Sequence, residues 1–86
     1  MNARHFHEEW SFRVVLKKGG KVIRDTRYKE KNVEPFRTEG EARAAMRELC
    51  SWLSAYIEKN GKDGEYDDYE AYAPTYRIVT EWEDQR

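Results

Sequence analysis

Residues 38–61 read TEGEARAAMRELCSWLSAYIEKNG, and the spacing predicts one long amphipathic helix with both ends marked. Thr38-Glu39-Gly40-Glu41 matches a capping box. In that motif the Thr38 hydroxyl accepts from the Glu41 amide, and the Glu41 carboxylate reaches back to the Thr38 amide. Glu39 and Glu41 also suit the positive end of the helix dipole. Ala42, Ala45, Met46, Leu49, Trp52, Leu53, Tyr56 and Ile57 recur in steps of three and one, which is a single stripe at helical period. Glu39, Arg43, Arg47, Glu48, Ser51 and Glu58 fall on the opposite face, and Asn60-Gly61 supplies a left-handed stop. Trp52 lies at the margin of the stripe, where an exposed indole would anchor a partner.

The chain around this helix is short and highly charged. Its 86 residues make one domain, 1–86, with 1–9 and 83–86 expected to fray. Charged residues are 38% of the chain and hydrophobic ones 38%, so twelve aromatics must supply much of the core. Cys50 is the only cysteine, which excludes an intrachain disulfide and fits a reducing compartment. The opening MNARHFHEEW has no apolar run, so neither a leader nor an anchor is expected, and the chain reads as cytoplasmic. Charge is unevenly spread: nine Lys or Arg face four Asp or Glu over residues 1–32, and two face seven over residues 65–86. Either the two ends neutralise one another, or they form separate surfaces for separate partners.

Strand signals flank the helix. Trp10, Phe12, Val14 and Leu16 alternate with Ser11, Arg13, Val15 and Lys17, the pattern of a half-buried strand. Gly19-Gly20 turns the chain into a return strand from Val22 to about Lys31. A two-residue loop would set Phe12 against Arg27. A three-residue loop, 18–20, pairs Leu16 with Val22, Phe12 with Thr26 and Trp10 with Tyr28, and is the register expected. Residues 62–74 fit neither period and read as an ordered loop, and Tyr76, Ile78, Thr80 and Trp82 mark a third strand. The fold class is α+β: a two-layer β-β-α-β domain, a three-stranded antiparallel sheet with one long helix on one face. The other face, with Val15, Ile23 and Val79, is expected to stay open for a homodimer or another partner.

Site chemistry is sparse. His5 and His7 could face one metal, but zinc needs about four ligands and no further His exists, so no metal and no cofactor are expected. Ser11, Ser51 and Ser54 lack a neighbouring base in the sequence pattern, and no phosphate loop or calcium loop appears, so no enzyme is expected. Two binding surfaces remain. The first is an acidic, tyrosine-rich segment, Glu65, Tyr66, Asp67, Asp68, Tyr69, Glu70 and Tyr72. Tyrosines offer contact area and carboxylates engage Lys and Arg, so this segment suits an inhibitor or adaptor on the basic surface of a nucleic-acid-handling protein. The alternative is nucleic-acid binding by the basic hairpin through Arg13, Lys17, Lys18, Lys21, Arg24, Arg27 and Lys29.

Overall fold

The computed structural model describes residues 3–83, with side chains over 6–80. The elements are β1 (Ala3–Lys18), β2 (Lys21–Tyr28), a short β3 (Glu30–Lys31) and β4 (Glu34–Pro35) ladder, α1 (Glu39–Asn60), a 3₁₀ turn (Gly61–Asp63) and β5 (Asp68–Glu83). The β-β-α-β order predicted from the periodicities is the order found. β2, β1 and β5 form a three-stranded antiparallel sheet in that spatial order, and α1 packs over β5 and β1.

The helix forms where its caps and stripe place it. Thr38 is the N-cap, and its hydroxyl accepts from the Glu41 amide at 3.1 Å. The reciprocal arm differs from the expectation, because the Glu41 carboxylate takes the Arg37 amide at 2.8 Å, one residue earlier. Gly61 ends the helix with φ 53°, and its amide donates to the Ile57 carbonyl. Ala42 and Leu53 are buried, and with Phe12, Val14, Phe36 and Tyr66 they make the core. Trp10, Leu16, Tyr28, Met46, Leu49, Tyr56, Ile57 and Tyr69 pack around it.

The hairpin turns on the two-residue Gly19-Gly20 loop and not on the three-residue loop expected, and its register beyond the tip matches neither. Gly19 and Gly20 have φ 57° and 82°, the geometry of a two-residue turn, and Lys18 pairs with Lys21. A bulge then takes up Ile23, so Leu16 meets Arg24, Val14 meets Thr26 and Phe12 meets Tyr28. From Arg24 to Tyr28 this is two residues from the expected pairing, an even shift that keeps those side chains on their expected faces, whereas Val22, expected against Leu16, lies beyond the bulge opposite Lys17 and is exposed. The Phe12 and Tyr28 rings stack at 5.1 Å.

Strand lengths are where the sequence reading falls short. Residues 3–9, expected to fray, form the outer part of β1 and pair with β5 from Ala3↔Glu83 to Ser11↔Thr75. Residues 1–2 and 84–86 lie outside the described residues. β5 begins at Asp68, so the second half of the expected loop 62–74 is strand. Ser11 pairs with Thr75 but Arg13 with Tyr72, so β5 carries one extra residue at Ala73-Pro74. Proline has no amide to give a ladder, and a bulge on an edge strand tolerates it. The slip of one residue exchanges the faces of β5. Tyr69 and Ala71 share the core face before it, and Tyr76, Ile78 and Thr80 share it afterwards. The long β1 and β5 make the molecule 59 Å by 21 Å by 20 Å.

Candidate functional site

The acidic, tyrosine-rich segment does not form one surface. Tyr66 is 8% exposed and stacks on Tyr56 with ring centroids 4.4 Å apart. Burial raises its phenol pKa above the ordinary value, with the neighbouring Tyr56 as a further cause. Tyr69 faces α1, where its hydroxyl meets Ser54 Oγ at 2.7 Å and donates to the Cys50 carbonyl at 3.3 Å. Tyr72 is 43% exposed on the opposite face of the sheet. The carboxylates divide similarly. Asp67 accepts the Gly19 amide on both oxygens at 3.2 and 3.3 Å, while its own amide donates to the Lys17 carbonyl at 2.9 Å. Asp68 accepts from the Tyr69 amide at 2.8 Å. Glu65 and Asp68 are exposed.

The basic hairpin is partly neutralised by that same segment. Lys17 pairs with Glu70. Lys18 donates to the carbonyls of Lys62 and Gly64, the latter at 2.7 Å. Arg13 makes a bidentate pair with Asp25 at 2.7 and 2.8 Å and sits 4.9 Å from the centroid of the Tyr72 ring. Arg27 donates to Ser11 Oγ at 3.0 Å. Lys21, Arg24 and Lys29 are exposed at the tip, on the inner face and at the strand end. Mutual neutralisation of the two ends, one of the two readings of the charge asymmetry, describes Lys17 and Glu70.

These pairs close part of the sheet face expected to be open. Val15 is 3% exposed. Its cross-strand neighbours are Asp25 and Glu70, and Arg13 and Lys17 flank it along β1. Those four side chains, with Tyr72 hydrogen-bonded to Glu70 at 2.9 Å, ring the valine. Hydrogen bonds from Arg13 and from Lys17, reinforced by their charge, hold Asp25 and Glu70 respectively below the usual carboxylate range. Ile23 is exposed and Val79 half-buried on this side.

His7 Nε2 lies 3.0 Å from Glu9 Oε2, and this hydrogen bond lowers the Glu9 pKa, with Arg77 contributing. The paired-histidine idea also needs the His5 side chain, which lies outside the described residues. No group of three or more His, Cys, Asp or Glu among the described residues is arranged to hold a metal ion. No helix among the described residues is long and apolar enough to cross a membrane. Cys50 is half-buried with a free thiol.

Among the described aromatic residues the most exposed lies elsewhere, on α1. Trp52 is 74% exposed. Because α1 lies over β5 and β1, the inner edge of β2 is left uncovered beside the helix. A hollow of about 270 Å³ opens there, lined by Phe12, Tyr28, Phe36, Ala45, Leu49 and Trp52 with Glu30, Lys31 and Glu48 at its rim. A second hollow of about 480 Å³ lies beside the indole, between Ser51, Ala55, Tyr56, Lys59 and Asn60. The sequence flags Trp52 as the residue at the edge of the stripe. It carries no signal for Phe12, Tyr28 and Phe36 as neighbours, because the lateral position of a helix on a sheet follows from packing.

No family model, no curated protein and no solved structure matches this chain. Function has to be read from the surfaces of the chain itself.

Proposed function

We propose that this chain is a small protein-interaction module that acts by contact, as an adaptor or inhibitor in the cytoplasm, through the Trp52 face of α1. The observation that carries this reading is the indole, three-quarters exposed on a regular helix and flanked by two hollows. Burying such a ring against a partner removes a large apolar area from water, and tryptophan is enriched among the residues that dominate binding energy. The inner hollow supports the same reading. Its volume lies below the roughly 300–1,000 Å³ usual for small-molecule pockets, and it is lined by rings that suit an inserted side chain.

The acidic segment supports the reading less well, since Tyr66 and Tyr69 turn inward and Asp67 and Glu70 are satisfied within the chain. Glu65 and Asp68 remain available to a basic partner as an auxiliary contact. Nucleic-acid binding by the hairpin is the weaker alternative, because Arg13, Lys17 and Lys18 are engaged internally.

The test is capture of partners by the tagged chain and by Trp52→Ser, with and without nuclease. A stoichiometric protein that survives nuclease and is lost with Trp52→Ser is the expected outcome. Capture that is indifferent to Trp52→Ser but abolished by Glu65→Lys/Asp68→Lys would move the contact to the acidic segment. Capture that depends on nucleic acid would return the function to the hairpin.

A further inference from the structure

Resting on the Trp52 reading, we propose that the partner on this face is a second copy of the same chain, docked helix to helix across a two-fold axis. An isologous contact requires one patch to be complementary to itself. This patch carries a projection and a recess side by side: the exposed Trp52, and the aromatic hollow of Phe12, Tyr28, Phe36 and Leu49. Two copies related by a two-fold axis can each insert an indole into the other's hollow.

The line of residues along α1 fits the same arrangement. Glu41, Ala45, Glu48, Trp52, Ala55 and Lys59 follow one another in steps of four and three, so they form one row on the helix. An antiparallel pairing centred near position 50, the middle of α1, sets the row against itself. Ala45 of one copy then meets Ala55 of the other, and two small residues let the backbones approach. Trp52 meets Glu48, beside the hollow. Lys59 meets Glu41, so opposite charges face each other at both ends of the row. Among the described residues, Lys59 and Glu48 have no ion-pair partner. A parallel pairing would instead stack Lys59 on Lys59 and Glu41 on Glu41. The contact is narrow, which places the dimer among weak associations of micromolar strength.

Sedimentation equilibrium of the full chain tests this, because the mass it yields does not depend on shape. At about 0.1 mM, well above a micromolar dissociation constant, the expected mass is twice the 10.4 kDa of one chain. Trp52→Ser should weaken the dimer by about 30-fold or more, the usual loss for a central aromatic anchor. Ala55→Arg, which places bulk and charge on an exposed position, should do the same, and Lys59→Glu should weaken it by about two- to five-fold. All three positions are exposed, so unchanged circular dichroism melts are the control for folding. A 10.4 kDa mass at that concentration, or a dimer unaffected by both Trp52→Ser and Ala55→Arg, overturns the proposal. A monomer whose capture of a foreign protein still depends on Trp52 would overturn the self-pairing alone and leave the interaction reading standing.

Discussion

At Gly64 the fold has no room for a side chain. A Cβ built there would lie 2.9 Å from Tyr56 Cε1, 3.0 Å from Asn60 Cβ and 3.2 Å from the Tyr56 hydroxyl. That hydroxyl also accepts the Glu65 amide at 2.9 Å, so the ring cannot swing aside without breaking a hydrogen bond. Gly64→Ala should therefore lower stability by about 1–3 kcal/mol, the usual cost of overpacking, measured by urea denaturation. The three tyrosines downstream should diverge in the same assay. Tyr66→Ala should cost about 3–5 kcal/mol, since a buried ring is lost, and Tyr72→Ala about 1 kcal/mol or less, since mainly a half-exposed contact with Arg13 goes. Nothing in the spacing of Tyr66, Tyr69 and Tyr72 announces this difference. Their fates depend on where β5 starts and on which face each residue falls, and those follow from the pairing with β1. Trp52 is a different case. Its place at the edge of the stripe was legible, because helical period alone decides which residues sit at the margin of a buried face.

Among the elements, α1 was the most readable because its determinants are local. Thr38→Ala should cost about 1 kcal/mol through the lost cap, and Gly61→Ala a similar amount, about 1 kcal/mol, because φ 53° is unfavourable for a residue with a Cβ. Thermal melts of both variants check this. Strands β1 and β5 were only half readable. Their outer parts pair across more than sixty residues of sequence, and polar residues such as Glu8 and Glu9 obscure the alternation there. The hairpin register was missed for a related reason, since a bulge at Ile23 leaves no composition signal of its own. The polar ring around Val15 was not legible either, although it has a consequence in solution. Asp25 and Glu70 are held below the usual carboxylate range by Arg13 and Lys17. A lowered carboxylate pKa means stabilisation that is complete above the ordinary carboxylate range and is lost as pH falls through the lowered value. Proton titration followed by NMR should show Glu70 releasing its proton at unusually low pH, and Lys17→Met should bring it back towards normal.

For the whole molecule, the order β-β-α-β and the two-layer arrangement were legible, and the overall shape was not. The radius of gyration is 17.1 Å, against about 12 Å for a compact chain of this length. The excess comes from the outer parts of β1 and β5, which run past the helix as a two-stranded ribbon. Two strands without a third neighbour are only marginally stable in water. Hydrogen exchange should accordingly be faster for residues 4–9 than for residues 12–16, where β2 and β5 flank β1 on both sides. The same ribbon alters how the protein travels through water. A rod of 59 Å by about 20 Å meets more friction than a sphere of equal mass and diffuses more slowly. On a sizing column the single chain will therefore elute ahead of globular standards of its mass, at a position that mimics a pair.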